Sequence, residues 1–214
     1  MSPLVSIVVC ARNEERFIAR CLRSLGRQVT EFDFEIIVVD DASEDETIRV
    51  AQSSGAKNLN IIRLPEQAGI GAASNEGIRA AKGRFVARVD ADDYVSNYFV
   101  QFMTVAILET KSKAVRCDYL LVNEDELVFR SVSSETNPIA CGVFYERDAL
   151  IDVGLYDASK RLGEDSELEE RFGRSYKTLH VPVPLYRYRQ HENNSSGGFR
   201  QQDGSNLKSG GNVG

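Results

Sequence analysis

The sequence predicts an α/β protein: a mostly parallel central sheet flanked by helices, followed by a smaller mixed part. Three observations carry this. Residues 4–89 alternate short apolar runs with segments of helical period, in the order β-α-β-α-β-α-β. The runs Leu4–Cys10 and Phe34–Val39 are almost unbroken by polar residues, the pattern of strands covered on both faces. Polar and acidic residues gather directly after the strands, where ligands bind in sheets of this type.

Each element has its own local reason. Leu4–Cys10 is the first buried strand. Over Glu14–Gln28, Phe17/Ile18, Cys21/Leu22 and Leu25 fall on one helical face. Phe34–Val39 is the second strand. Ser43 and Glu46 have the spacing of a capping box before a helix over Thr47–Ser53. Leu59–Leu64 is a third strand, ended by Pro65. A third helix covers Ile70–Ala81, with Gly83 as its stop, and Arg84–Val89 is the fourth strand. The second half is less regular. A helix is expected over Asn97–Lys111, then strands over Ala114–Val122 and Leu127–Val132 around the acidic turn Asn123–Glu126. A strand over Ala140–Tyr145 precedes short helices over Arg147–Val153 and Asp165–Phe172, and Leu185–Arg189 is the last strand. His180, in the apolar run Thr178–Val181, reads as structural. From Ser195 onward Gly, Ser, Asn and Gln dominate, and such a stretch cannot bury enough surface to order itself.

Composition narrows the function classes. The 214 residues suit one domain with a small appended part, and a 42% hydrophobic content allows a sizeable core. A net charge of −6 argues against a nucleic-acid binder, which would carry a basic patch. No apolar run reaches the roughly 18–20 residues of a membrane span. The N-terminus lacks the basic region and cleavage site of a signal peptide. Cys10, Cys21, Cys117 and Cys141 show no CxxC spacing; buried thiols in a reducing, cytoplasmic setting fit them best.

The acidic clusters after the strands are the informative feature. Strand 1 runs into Cys10-Ala11-Arg12-Asn13-Glu14, strand 2 into Asp40-Asp41-Ala42-Ser43, strand 3 into Glu66-Gln67-Ala68-Gly69, and strand 4 into Asp90-Ala91-Asp92-Asp93. Taken singly, each acidic pair is also an ordinary turn or helix cap. If strands 1, 2 and 4 are neighbours, however, Asp40, Asp41, Asp90 and Asp92 surround one cleft. Two carboxylates one residue apart on a turn can aim at one point, and a hard divalent cation accepts such ligands while keeping positions for water and phosphate.

VSIVVCARNEERFIARCLRSLGRQ, EIIVVDDASEDET and AGIGAASNEGIRAAKGRFVARVDADD together resemble the nucleotide-binding half of family 2 glycosyltransferases, inverting enzymes of the GT-A (Rossmann-like) fold. The resemblance covers residues 4 to about 95. It implies a nucleotide-sugar-binding half at 1–95, an acceptor-binding half of the same domain at 96–194, and a flexible polar tail at 195–214. It implies that Cys10, Ala11, Arg12, Asn13, Glu14 and Asp41 hold the nucleoside base, usually uracil. Asp40 would help seat base and ribose, and Gly69 belongs to the same donor-binding set. Asp90, Ala91 and Asp92 match the D-x-D motif, with Asp90 near ribose and metal, Asp92 on the metal, and Asp93 a third acidic member. One departure is Ser74, where many relatives carry Arg. LGEDSELEERFG resembles the "ED" motif of the acceptor half and maps the catalytic base to Asp165, beside Glu164; taken alone it is an acidic helix N-terminus. YRYRQHENNSS resembles an element that brings Arg189 and His191 to the diphosphate, with His191 as an extra metal ligand.

The resemblance thus implies a metal-dependent transferase using Mn²⁺ or Mg²⁺. It would move a sugar from a nucleotide-diphosphate donor, UDP-linked by preference, to a saccharide or lipid-linked hydroxyl acceptor in surface polysaccharide or glycolipid synthesis. It also implies a cytoplasmic protein at the inner membrane surface through peripheral association, and an oligomer is compatible with it. A catalytically inactive or partner-dependent nucleotide-sugar-binding module is the alternative; it would keep the first-half motifs and lose Asp165. A response-regulator receiver would need an Asp ending strand 3, which here ends in Leu64-Pro65. A sugar nucleotidyltransferase would need a Gly-rich basic loop after strand 1, absent from Cys10–Glu15.

Overall fold

The computed structural model describes residues 2–160 and 163–191; the expected polar tail lies outside them. The elements run β1 (Val5–Ala11), α1 (Ile18–Gly26), β2 (Phe34–Asp40), α2 (Thr47–Gln52), β3 (Leu59–Arg63), α3 (Ile70–Ala80), β4 (Phe85–Asp90), β5 (Tyr94–Val95) and α4 (Phe99–Thr110). They continue as β6 (Ala114–Val122), β7 (Val128–Val132), β8 (Val143–Glu146), α5 (Arg147–Asp152), α6 (Glu164–Gly173) and β9 (Thr178–Arg189). One sheet has the order β3-β2-β1-β4-β8-β6-β9-β5, with β7 beside β6. The first four strands pair in parallel, and β8 joins β4 to β6 antiparallel to both. The expected neighbours β2, β1 and β4 therefore lie side by side, with Ala11 level with Asp40 and Cys10 level with Asp90.

Side chains alternate between two cores, as the two-residue period of a strand requires. Val5, Ile7 and Val9 pack with Ile18, Leu22, Phe99 and Met103 on one face. Val8 and Cys10 pack with Ala73, Ile78, Leu168 and Phe172 on the other. No helix among the described residues is long and apolar enough to cross a membrane.

Several local expectations are corrected. Helix α1 starts at Ile18 rather than Glu14, because the N–H groups of Asn13, Glu14 and Glu15 are drawn to Ser43 Oγ, Thr47 Oγ1 and Asp45 Oδ2. Ser43 is thereby spent on the neighbouring loop, and no capping box forms; Asp45 Oδ1 accepts the Thr47 N–H instead. Gly83 is not the stop of α3, which ends at Ala80. It lies where β1 passes so closely that a Cβ would sit 2.6 Å from the Ser6 nitrogen. The last strand begins at Thr178, and the short β5 pairs with it antiparallel.

Candidate active site

The carboxyl ends of β1, β2 and β4 open into a cleft of about 870 Å³, whose walls include Arg12, Asp41, Gly69, Asp90, Asp92 and Asp165. This volume falls within the range of small-molecule sites. The cleft reaches from the loops of the first half to α6 of the second, so the topology joins sequence clusters that are far apart in the chain.

At one end, the loops after β1 and β2 lock together. Arg12 Nη1 donates to the carbonyls of Asp41 and Ala42, each at 2.8 Å, and Asn13 Oδ1 accepts from the Glu44 N–H at 2.9 Å. The buried Asp41 carboxylate accepts from the N–H groups of Ala68 (2.6 Å) and Gly69 (2.9 Å), fixing the turn that starts α3. Gly69 has φ +90°, open to a residue without Cβ. Cys10, Ala11 and Glu14 also line this end; burial, then the charge of Asp92, pushes the Glu14 carboxyl up to about 7. Asp40 and Asn13 do not line the cleft. Asp40 is buried below it, accepting from the Ser43 N–H and pairing with Arg63 at 3.1 Å, so it shapes the loop.

At the centre, Asp90, Asp92 and Asp93 each offer a carboxylate oxygen within 4.8 Å of the others. Their surroundings differ. Asp93 is buried with both oxygens engaged: Arg189 N–H donates to Oδ1 and the Tyr186 hydroxyl to Oδ2, each at 2.7 Å. It anchors β9 to the motif. Asp92 Oδ2 lies 2.9 Å from His191 Nε2, and this contact raises the imidazole above its ordinary value. Asp90 Oδ1 is buried, 3.1 Å from Arg88 Nε but too poorly aligned for a hydrogen bond. Burial pushes the Asp90 carboxyl up, against the opposing charge of Arg88.

Arg189 is placed differently from the expectation. Its guanidinium sits behind the D-x-D loop and outside the cleft lining. It donates to the Asp92 carbonyl (2.8 Å) and the Glu124 carbonyl (3.0 Å), between the rings of Phe17 and Tyr94. Its role there is to hold the loop's shape.

At the far end, Asp165 occupies the acidic first turn of α6, with Glu164 and Glu167, and lines the cleft. Its carboxylate forms a two-point pair with Arg88 of β4. Glu164 is buried beside it, its carboxyl pushed up by burial and by the Asp165 charge. Glu169 pairs with Arg116 and also faces the cleft. Sequence reasoning missed Arg88, Arg116 and Glu169. A charged residue two positions before Asp90, on the same strand face, was the available signal for Arg88. Ser74 is buried with its Oγ 3.4 Å from Cys10 Sγ, outside the main cleft lining.

Comparison with known proteins agrees with this architecture. EpsJ of Bacillus subtilis, described as an uncharacterized glycosyltransferase, is 36% identical over 141 residues, which are 65% of this chain and 40% of that protein. The poly(ribitol-phosphate) β-N-acetylglucosaminyltransferase TarS of Staphylococcus aureus strain Mu50 is 36% identical over 94 residues, 42% of this chain and 16% of TarS. The chain thus spans less than half of these relatives. The crystal structure of S. aureus TarS 1–349 with UDP-GlcNAc superposes with a TM-score of 0.73 at 24% identity, covering 90% of this chain and 59% of that one. A mannosyltransferase from Pyrobaculum calidifontis, solved with GDP-Man and Mn²⁺, gives 0.71 at 19%, covering 91% and 59%. These likenesses bear out the expected GT-A fold. The sequence model described as "Glycosyl transferase family 2" matches residues 6–157, and on that match, with the fold, the chain belongs to glycosyl transferase family 2.

Proposed function

We propose that the protein is an inverting glycosyltransferase that moves a sugar from a nucleoside-diphosphate donor, with UDP-sugars the first choice, to a hydroxyl acceptor. The observation that carries this is the single cleft uniting Asp41, the Asp90/Asp92 pair and Asp165. The relatives' complexes with UDP-GlcNAc and with GDP-Man and Mn²⁺ support the donor class.

The residues present fit a hard divalent cation. Asp90 and Asp92 each offer a carboxylate oxygen within 4.8 Å of the other, and His191 Nε2 lies 2.9 Å from Asp92 Oδ2. Asp90, Asp92 and His191 would hold Mn²⁺ or Mg²⁺; Asp93, with both oxygens engaged, supports the loop from behind. When bound, the ion supplies charge neutralisation for the departing diphosphate. The loop from Cys10 to Glu14 and Asp41 would frame the nucleoside, with Asp40 and Arg189 keeping the loops in shape. Asp165 would take the proton of the acceptor hydroxyl as its oxygen bonds to the anomeric carbon. The bond to the diphosphate oxygen breaks in the same displacement, so the anomeric centre inverts and the nucleoside diphosphate leaves with the electron pair.

In this reading residues 1–95 serve the donor and 96–191 the acceptor. Relatives named as chondroitin synthase and as poly(ribitol-phosphate) glycosyltransferases support a role in polymer glycosylation; glycolipid synthesis and a cytoplasmic setting are part of the same proposal. A lipid-linked acceptor would bring the protein to the inner membrane surface by peripheral contact.

A donor-hydrolysis and binding screen across UDP-, GDP- and dTDP-sugars, with and without Mn²⁺, tests the proposal. Asp92→Ala should abolish metal-dependent binding; metal-independent binding untouched by that change would overturn the metal role. Asp165→Asn should bind donor and lose transfer; full retained transfer would remove Asp165 as base. Donor binding with neither hydrolysis nor transfer by the wild type would establish the binding-module alternative.

A further inference from the structure

Arg88 is the buried charge that this mechanism leaves unused. It sits on β4 two residues before Asp90, so both project from the same face of the strand. That face packs toward the core shared with α3 and α6. The Arg88 side chain is only 6% exposed. Nη1 donates to Asp165 Oδ1 at 2.8 Å and Nη2 to Asp165 Oδ2 at 3.2 Å, the parallel fork of a two-point pair. Nε lies 3.1 Å from Asp90 Oδ1, and the cation stands 5.5 Å from the centre of the Tyr156 ring. One guanidinium thus spans a carboxylate at the donor motif and a carboxylate on the acceptor-side helix.

The arrangement constrains Asp165. Its side chain is 31% exposed, and its neighbour Glu164 supplies no positive charge. Asp165 lies in the first turn of α6, where an aspartate would ordinarily turn toward the unpaired N–H groups. The fork turns it toward β4 instead. A two-point pair takes one lone pair from each oxygen and leaves the others available to a hydroxyl in the cleft.

We infer that Arg88 is a positioning residue for the transfer step: its fork holds the Asp165 carboxylate at the cleft wall, in fixed relation to Asp90. The inference rests on the assignment of Asp165 as base made above. Lysine at this position would keep a charge and lose the planar fork, so it separates orientation from simple neutralisation. It also avoids leaving two carboxylates facing each other around an apolar side chain, a change that threatens folding.

The experiment is a double-mutant cycle of wild type, R88K, D165N and R88K/D165N. Donor turnover is measured together with UDP-sugar affinity by calorimetry and the melting temperature. Displacing a reacting group by about 1 Å costs on the order of 10²-fold in rate. R88K is accordingly expected to lower kcat by about 10²-fold, with donor KM and calorimetric affinity within about threefold of wild type. On the residual donor hydrolysis of D165N, followed over long incubation at high enzyme concentration, the same change should cost almost nothing further, because the group it positions is gone. Wild-type kcat in R88K overturns the inference, and so do losses that multiply in the double variant, which would mean that Arg88 acts independently of Asp165. A wild-type chain that neither binds nor turns over any nucleotide sugar overturns the functional reading and this inference together. Multiplying losses in an active enzyme overturn the inference alone.

Discussion

At the scale of single residues, adjacent acids are given different work by burial. Asp92 faces the cleft while Asp93, the next residue, is buried under the Tyr186 hydroxyl and the Arg189 N–H. Tyr186→Phe removes one of two donors from a buried carboxylate, a loss of about 1–3 kcal/mol. Urea unfolding should show it, and an unchanged midpoint would mean that Asp93 finds another partner. Glu14 carries a pH signature. Burial and the Asp92 charge hold its carboxyl at about 7 in the folded protein, above the unfolded value of about 4.3. The folded state therefore binds this proton more tightly, and stability declines as pH rises between those two values and stays lowered above them. Without divalent cations, Glu14→Gln should gain stability over wild type at pH 8 relative to pH 4; a gap that does not change with pH would refute this. The sequence displayed Asp90, Asp92, Asp165 and His191 as members of recognisable clusters. It concealed Arg88, because one arginine inside an apolar strand looks like an interruption until the helix carrying its partner, 77 residues later, is packed over it.

At the scale of elements, legibility followed local chemistry. Strands β1 and β2 stood out because covered strands are nearly apolar throughout. Strand β3, an edge strand with Asn60 and Arg63 exposed, and β4, interrupted by Arg88, were legible from their shorter apolar runs and bounding turn residues. The first part of β9 did not, because Pro182 and Pro184 lack the N–H that a strand normally donates. The structure accommodates them with shifts in register: Cys117 is level with Val181, but Asp118 with Pro184 and Tyr119 with Tyr186. His180, expected to be structural, lies 2.6 Å from Asp118 Oδ1 across this pairing. The two-residue β5 offered no periodicity to read and exists only because β9 lies beside it. Helix α3 gives a sharp test of packing. A Cβ on Gly77 would fall 2.3 Å from Val8 Cγ1 and 3.2 Å from Val39 Cγ2. Both valines are buried and branched, with no room to yield. Gly77→Ala should therefore destabilise by about 1–3 kcal/mol despite alanine's higher helix propensity. A thermal midpoint at or above wild type would show that α3 can move off the sheet.

At the scale of the whole molecule, the first and second halves of the chain share one sheet and one core. Strand β8 continues the sheet from β4, β9 pairs with β5, and Phe99, Phe144 and Tyr186 share a core with Val5 and Phe85. The β6–β7 turn adds ion pairs to the first half, Glu124 with Arg16 and Glu126 with Arg20. Residues 1–95 expressed alone should accordingly lack a cooperative unfolding transition. A sigmoidal melt with dispersed amide resonances would show that the first half folds independently. The family resemblance implied one domain, but the strand order that joins the halves was not legible, since it depends on contacts between segments with no local mark of each other. The return of β9 to the D-x-D loop has a further consequence in time. His191 meets Asp92 from 99 residues downstream and Arg189 meets Asp93 from 96. At a synthesis rate of about 5–20 residues per second, roughly 5–20 s separate the making of the acidic motif from the making of its partners. Until then the three aspartates are an unbraced acidic stretch on a nascent chain. The partners that brace the acidic motif thus arrive late in translation, and a ribosome stalled before residue 189 carries a chain whose Asp92 and Asp93 still lack them.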